Sequence, residues 1–217
     1  MIIAIDGPAG AGKSTVAKII AQKLGFLYVD TGAMYRALTL KAIREKIDSK
    51  DISSIIEMAG RSQVDLRNNQ DGSLIIFLDN EDVTGAIRKP LITKSVSDIA
   101  RIKEVREVML GIQRRLGKER DSVLDGRDIG TVVFPDADKK FYIDARFDER
   151  VRRRYKELIG SGQEITQEEV ALDLSNRDTI DSTREVAPLK KADDAIYIDT
   201  TDMTIEEVVG KALSCVR

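Results

Sequence analysis

The chain has 217 residues, of which 42% are hydrophobic and 33% charged, and its formal net charge is −2. This length and composition indicate one α/β domain, or one such domain with a small insertion. The charge argues against broad affinity for nucleic acid or membrane surfaces, and no apolar run approaches the ~18 residues of a membrane span.

The available chemistry is limited by the absence of histidine and by the single cysteine, Cys215. Without histidine, Ser–His and Cys–His catalysis and most zinc sites are excluded. One cysteine forms no internal disulfide, which fits a reducing compartment. No basic stretch precedes the apolar N-terminal run, so no signal peptide is expected.

The first predicted element is a short buried strand over residues 1–5, and a glycine-rich loop follows its last polar residue, Asp6. The loop has the pattern of a glycine, four free positions and Gly-Lys-Ser, in which backbone N–H groups at a helix start surround phosphate oxygens. Lys13 supplies a cation for the terminal phosphates, and the Ser14 hydroxyl suits a magnesium ion. The pattern predicts a nucleoside triphosphate site formed by Gly7, Pro8, Ala9, Gly10, Ala11, Gly12, Lys13, Ser14 and Thr15.

Strands and helices then alternate along the chain, with helix caps predicted at Thr31 and Asp51 and capping boxes beginning at Thr166 and Thr204. Short strands around a turn at 68–72 form a predicted β insertion over 64–83. Alternation of this kind predicts a parallel sheet with helices on both faces, whose ligands gather at the carboxyl ends of the strands. Helices are predicted over 14–24, 31–46, 52–59, 90–102, 104–116 and 148–158, and further strands over 26–29, 122–125, 140–144 and 195–199.

Three polar clusters have two interpretations each. Arg36 lies one turn into the second helix, where it reaches a second phosphate or remains a surface arginine. Arg127 and Asp128 follow a buried strand and suit a phosphate and an exocyclic amine, or form a surface turn. Arg177, Asp181 and Arg184 have the i, i+4, i+7 spacing of one helix face. On spacing alone, a surface salt-bridge ladder is favoured for these three over a phosphate and sugar site.

The densest basic stretch has three interpretations, and it consists of Arg146, Arg150, Arg152, Arg153, Arg154 and Lys156. A nucleic-acid patch is disfavoured, because only Phe147 and Tyr155 interleave with the cations. The stretch is otherwise a solvated face, or it closes over a transferring phosphoryl group.

Four segments together resemble the bacterial cytidylate kinase family, and the resemblance extends along essentially the whole chain. They are residues 5–15, 30–36, 125–135 and 184–189, of which 125–135 (Asp-Gly-Arg-Asp-Ile-Gly-Thr-Val-Val-Phe-Pro) is the most specific. The resemblance implies a phosphate-loop kinase core over about 1–30, 117–147 and 185–217, a monophosphate-binding region over 31–116 with a β insertion over 63–84, and a helical lid over 148–165.

The resemblance also implies the roles of individual side chains. Ser97, Arg106 and Asp128 face the cytosine ring, and Asp181 holds the ribose hydroxyls. The remaining implied substrate contacts are Thr31 and Tyr35, with Arg177 close to the sugar and phosphate and Arg36, Arg127 and Arg184 on the monophosphate. The catalytic cations that it implies are Lys13, Arg36, Arg127, Arg177 and Arg184.

The expected activity is transfer of the γ-phosphoryl group of ATP to CMP or dCMP, with Mg²⁺, by a cytoplasmic monomer that has no nucleic-acid or membrane partner. A kinase for another small acceptor such as UMP, AMP or shikimate remains an alternative. So do a nucleotide-hydrolysing switch protein and a nucleic-acid-dependent ATPase. A GTPase would use Asn-Lys-x-Asp to read guanine, and no asparagine in this chain is followed by lysine.

Overall fold

The structure is a computed structural model that describes residues 1–69 and 73–216. The predicted turn at 68–72 therefore includes residues 70–72, which lie outside the described residues. The strands are β1 (Ile2–Asp6), β2 (Leu27–Asp30), β3 (Val64–Asn68), β4 (Leu74–Leu78), β5 (Glu81–Asp82), β6 (Ser122–Gly126), β7 (Lys139–Asp144) and β8 (Ile196–Asp199). The helices are α1 (Lys13–Leu24), α2 (Thr31–Arg44), α3 (Ile52–Gly60), α4 (Pro90–Ala100), α5 (Lys103–Lys118), α6 (Phe147–Gly160), α7 (Gln167–Thr183) and α8 (Ile205–Ser214).

The central sheet has the strand order β2-β6-β1-β7-β8, and every neighbouring pair in it is parallel. β1 and β6 are almost entirely buried, which explains their continuous apolar runs, because a parallel sheet is covered on both faces. In this register Asp30 lies beside Asp125, and Asp6 lies beside Gly126. The sheet confirms the predicted parallel architecture and brings several carboxylates to one edge.

Helices pack against both faces of this sheet. On one face, Ile20 of α1 and Val209 of α8 share a core cluster with Phe141 of β7. On the other, Met34 of α2 and Met109 of α5 belong to a second cluster. Within residues 1–69 and 73–216, no helix is long and apolar enough to span a bilayer.

The predicted β insertion is a separate antiparallel sheet with the order β3-β4-β5. Val64 pairs with Leu78 across β3 and β4, and both side chains are buried in the cluster that contains Met34. The change from helical to alternating periodicity over 64–83 is therefore confirmed. A 3₁₀ turn at Ala86–Arg88 leads into α4, whose first turn contains Pro90 as predicted.

The predicted cap of α2 is wrong by one residue. Asp30, which has extended backbone geometry, caps the helix, and its side chain accepts a hydrogen bond from the Ala33 amide at 2.7 Å. Thr31 lies inside the helix, and its hydroxyl instead donates to the Asp125 carbonyl at 2.7 Å. The predicted cap at Asp51 and the two capping boxes, which begin at Thr166 and Thr204, are confirmed.

Thr204→Ala is expected to lower the free energy of unfolding by about 1 kcal/mol, because the threonine hydroxyl accepts the Glu207 amide at the start of α8. Urea unfolding measures the loss. Thr204→Ser keeps the hydroxyl, and because serine is at least as good a cap as threonine, it should lose little or nothing. Equal losses in the two variants would show that the hydroxyl is not the stabilising group.

Candidate active site

Residues 7–12 form a tight loop between β1 and α1. Gly7, Gly10 and Gly12 have φ values of 147°, 78° and 89°, which favour glycine. A Cβ on Gly7 would lie 1.9 Å from the Ile143 carbonyl oxygen, so this turn also needs the space that glycine leaves. The loop therefore has the curvature that the glycine pattern predicts.

Lys13 follows the loop, and its side chain lies within the site. Its Nζ donates to the Pro8 carbonyl at 2.6 Å, and the residue is only 5% exposed. Burial lowers the pKa of Lys13 well below its usual value, and the charges of Arg127 and Arg177 lower it further. An anion bound beside this lysine would therefore relieve repulsion between cations.

The end of β6 supplies a carboxylate to the same loop. Asp125 accepts the Ser14 hydroxyl at 2.7 Å and the Tyr28 hydroxyl at 2.9 Å. Burial raises the pKa of Asp125 to about 6, and the nearby charge of Asp30 adds to the effect. The sequence indicated Asp125 only as the end of a buried strand, and its contact with Ser14 was not anticipated.

Ser14 and Asp125 together offer the oxygen donors that Mg²⁺ prefers. Among residues 1–69 and 73–216, no group of three or more His, Cys, Asp or Glu side chains could hold a metal ion. A magnesium ion at this place would thus take its remaining ligands from water and phosphate oxygens, which is its usual coordination in phosphoryl-transfer sites.

Asp128 lies between two arginines from distant parts of the chain. Its carboxylate accepts Arg106 Nη2 at 2.5 Å and Arg184 Nη2 at 3.2 Å, and the residue is 7% exposed. The guanidinium of Arg106 lies 5.5 Å from the ring centre of Tyr35, whose pKa is raised to about 12 mainly by burial. The Nε of Arg106 is buried without a hydrogen-bond partner in the described part of the chain.

Asp181 joins the same network. Its Oδ2 accepts Arg127 Nε at 2.7 Å, and its Oδ1 lies 3.7 Å from Arg184 Nη1. Burial raises the pKa of this carboxyl, but Arg127, Arg177 and Arg184 outweigh burial, and the net shift is downward. The ion pairs of Asp181 with Arg127 and Arg184 therefore form a largely buried network and not a salt-bridge ladder on the surface.

The prediction that Arg184 lies on the helix with Arg177 and Asp181 is wrong. α7 ends at Thr183, and Arg184 has an extended backbone with φ −61° and ψ 142°. Its Nε donates to the Ala187 carbonyl at 2.7 Å, which holds the chain in this new direction. The side chain still meets Asp181, because Arg184 directly follows the last turn of α7 and lies three residues after Asp181.

Arg177 makes no ion pair within residues 1–69 and 73–216, as is also true of Lys13, and unlike Lys13 it makes no side-chain hydrogen bond there. Its Nε is buried without a hydrogen-bond partner there. Burial lowers its pKa to about 10, and the positive charges of Arg127, Arg36 and Arg154 contribute to the effect. The charges of Arg127 and Arg177 also lower the pKa of Lys13, so the phosphate loop faces a cluster of cations.

The other predicted site residues lie at the edge of this cluster. Arg36 pairs with Asp30 at 3.0 Å. Ser97 is half-buried on α4, and its hydroxyl has no hydrogen-bond partner among the described residues; Arg106 donates to Ala100 at the end of the same helix.

The basic helix α6 contributes its arginines unequally. Arg152 and Arg153 both pair with Glu149, but Arg152 is exposed, whereas Arg153 also donates to the carbonyl and hydroxyl of Thr200. Arg154 lies close enough to Arg177 to lower its pKa. The sequence did not distinguish these arginines, because all of them lie in one basic run.

Asp6 supports the turn that follows β6. Its two carboxylate oxygens accept the amides of Ile129 and Gly130, each at 2.8 Å, at the start of a π-helical turn, Ile129–Val133. Asp128 immediately precedes this turn. Burial raises the pKa of Asp6 to about 6, although the two amides oppose the shift.

Asp6 is expected to make stability depend on pH between about 4 and 6. Its native pKa lies above the unfolded value of 3.8, so the native state holds the proton more tightly. This group's contribution to stability is therefore present below pH 4 and is lost as the pH rises through 6, by up to about 3 kcal/mol. Asp6→Asn imitates the protonated side chain, so in urea unfolding wild type should lose up to about 3 kcal/mol relative to this variant between pH 4 and pH 7. A difference that does not change with pH would contradict the assignment.

A glycine loop that joins the first parallel strand to a helix, opposite a cluster of buried cations, defines the class of phosphate-loop kinases. Two solved structures share the fold. The chain superimposes on an uncharacterized protein from Eubacterium ventriosum with a TM-score of 0.55 at 13% identity, covering 100% of this chain and 98% of the other. It superimposes on a shikimate kinase from Bacteroides thetaiotaomicron with a TM-score of 0.50 at 13% identity and the same coverage.

Sequence comparison gives the family. The family model for cytidylate kinase matches residues 3–217. The chain is 52% identical to the cytidylate kinase of Caldanaerobacter subterraneus subsp. tengcongensis, covering 99% of this chain and 94% of the relative. It is 51% identical to that of Clostridioides difficile, with coverage of 99% and 97%, and 46% identical to that of Bacillus subtilis, with coverage of 99% and 96%. The chain belongs to the cytidylate kinase family.

Proposed function

We propose that this protein transfers the γ-phosphoryl group of ATP to CMP or dCMP and releases ADP with CDP or dCDP. The observation that carries the proposal is the unpaired Arg177, which lies among other cations opposite the phosphate loop. Phosphate oxygens would neutralise this charge, and two nucleotides would bring several phosphates. The names of the relatives, all cytidylate kinases, support the same acceptor.

The reaction needs positioning more than acid–base chemistry. An oxygen of the acceptor phosphate attacks the γ-phosphorus of ATP, and the bond from that phosphorus to the β–γ bridging oxygen breaks. This nucleophile is already anionic, so a chain without histidine lacks nothing for this step. In our proposal the loop amides and Lys13 hold the ATP phosphates. The acceptor phosphate is held by Arg36, Arg127, Arg177 and Arg184.

The base pocket is proposed to be the Asp128 group. Cytosine has an amine at C4, which a carboxylate accepts, and ring acceptors, which Arg106 suits. Uracil has a carbonyl where cytosine has its amine, so the carboxylate would repel it. Ser97 is proposed to add a hydroxyl contact to the base and Asp181 to accept the ribose hydroxyls. Tyr35 packs beneath Arg106 and Thr31 holds the end of β6, so both would shape this pocket.

Mg²⁺ is proposed to bind at Ser14 and Asp125, whose oxygens fit it. When bound, it would neutralise charge on the phosphates of ATP. The chain's own part is to orient the Ser14 hydroxyl, which donates a hydrogen bond to Asp125 at 2.7 Å.

We also propose the division of the chain into a core (1–30, 117–147 and 185–217), a monophosphate-binding region (31–116, with the insertion over 63–84) and a lid (148–165). Within the lid, Arg154 is the arginine proposed to reach the transferring phosphoryl group, because its charge already acts on Arg177. A monomer acting in the cytoplasm, in pyrimidine nucleotide metabolism, completes the proposal.

The test is ADP release with ATP and Mg²⁺ against CMP, dCMP, UMP, AMP, GMP, shikimate and no acceptor, the last with and without added DNA. Strong release with CMP and dCMP only would support the proposal. Stronger release with another acceptor would show that this acceptor, and not CMP, is the substrate. Equal release without acceptor would mean a hydrolysing switch protein, and release that requires DNA would mean a nucleic-acid-dependent ATPase.

A further inference from the structure

An ion pair between α6 and α7 lies against the phosphate loop, and the mechanism above does not use it. Arg150 Nη1 lies 2.5 Å from Asp178 Oδ2, and the two side chains are 9% and 22% exposed. Arg150 also donates from Nε to the Ala145 carbonyl at 3.1 Å. The guanidinium is therefore fixed on two sides, which is unlike the solvated arginines further along α6.

The pair holds both backbone polar groups of one loop residue. The Ala9 amide donates to Asp178 Oδ1 at 3.3 Å, and the Ala9 carbonyl accepts Arg150 Nη1 at 3.0 Å. The next residue, Gly10, leaves room for α6, because a Cβ there would lie 3.1 Å from the Arg150 carbonyl oxygen. We call the Arg150–Asp178 pair the Ala9 clamp.

Packing around the Ala9 clamp ties the same three segments together. The Ala9 side chain is buried in a small core cluster with Val151 and Leu158 of α6 and with Val170 and Leu174 of α7. Apolar contacts thus hold the loop against α6 and α7, and the hydrogen bonds of the clamp fix the orientation of the Ala9 peptide groups. An ion pair is a poor source of net stability when buried, but it fixes orientation well.

We propose that Arg150 and Asp178 are positioning residues that orient the Ala9 peptide and so set the curvature of the loop for the triphosphate. The inference rests on the proposed function, in which the loop binds ATP. Within residues 1–69 and 73–216 the clamp makes hydrogen bonds to the loop only at Ala9, and none of its hydrogen bonds reaches the arginines around Asp128 and Asp181. Its loss should therefore affect the donor nucleotide and spare the acceptor.

The test compares Asp178→Asn, Arg150→Met and the double variant in the full chain, with Asp173→Asn as the matched control. Asp173 is exposed on the same helix and makes no ion pair or side-chain hydrogen bond among the described residues. Each clamp variant should raise the KM for ATP about ten- to a hundredfold, because a small misplacement of a binding loop has effects of that size. The KM for CMP should stay within about twofold, and calorimetric titration with ATP should show the same loss.

The double variant decides whether the two residues act as a unit. If they do, it should bind ATP no more weakly than the worse single variant. Losses that add, or equal rises in the KM for ATP and for CMP, would overturn the proposal. If Asp178→Asn unfolds in urea much earlier than wild type, Arg150→Lys replaces it, since lysine keeps the charge but cannot make all three contacts. Wild type that binds ATP but does not phosphorylate CMP would contradict the proposed function while leaving the ATP titrations decisive for the clamp.

Discussion

Lys13→Met is expected to reduce kcat for CMP phosphorylation by at least about 10²–10³-fold, the usual cost of removing one electrostatic donor from a transition state. The structure gives the reason. The ammonium group is buried beside the loop, and its pKa is lowered by burial and by Arg127 and Arg177. A cation held in these surroundings interacts strongly with charge on the transferring phosphoryl group, because little water screens it.

Methionine keeps the length of the side chain and removes the charge, so the fold should survive. Coupled ADP release measures the loss, and circular dichroism and urea unfolding check the fold. Lys18→Met is the matched control, since Lys18 is exposed on the same helix. Loss of activity in both variants would mean that the helix, not the ammonium group, had been damaged. Near-normal kcat in Lys13→Met would remove the lysine from the mechanism.

The order of elements could be predicted from the sequence because their signals are local. The strand before the loop, the Pro90 helix start and both capping boxes each depend on a few neighbouring residues. The errors have a physical reason as well. Asp30 and Thr31 are both good helix caps, so their residue types do not decide between them. The sheet decides: Asp30 pairs with Asp125 as the last residue of β2, and the helix begins at Thr31.

The candidate site depended on contacts that no local pattern contains. Asp128 meets Arg106 and Arg184 across 22 and 56 residues, so spacing alone could not group them. The family resemblance named Arg106 and Asp128 together at the base and assigned Arg184 to the monophosphate, and the structure brings all three into contact. The π-helical turn after Asp128 lacks a recognisable period, and it depends on Asp6, which lies more than 120 residues away. Asp178 was missed because nothing in its own helix marks it as a partner of the loop.

Asp128→Asn is expected to lower the preference for CMP over UMP, expressed as the ratio of kcat/KM values, by about 10–100-fold. The change is nearly isosteric, but it replaces one carboxylate oxygen with the NH2 group of a side-chain amide. That group cannot accept a hydrogen bond from cytosine, and it donates well to the carbonyl of uracil. Leaving a buried polar group unpaired costs about 1–3 kcal/mol, which corresponds to the expected range. ATP binding should be unchanged.

The hydrogen bonds of Arg106 and Arg184 to Asp128 define two outcomes that this experiment distinguishes. Asp128 also accepts hydrogen bonds from Arg106 and Arg184, so its role is either to read the base or to hold the two arginines. If it reads the base, activity with CMP should fall while activity with UMP stays level or rises. If it only holds arginines, activity with both nucleotides should fall together at a constant ratio, and the assignment of the base pocket would be wrong. Asp136→Asn, at an exposed position after the same turn, should leave both activities at the wild-type level.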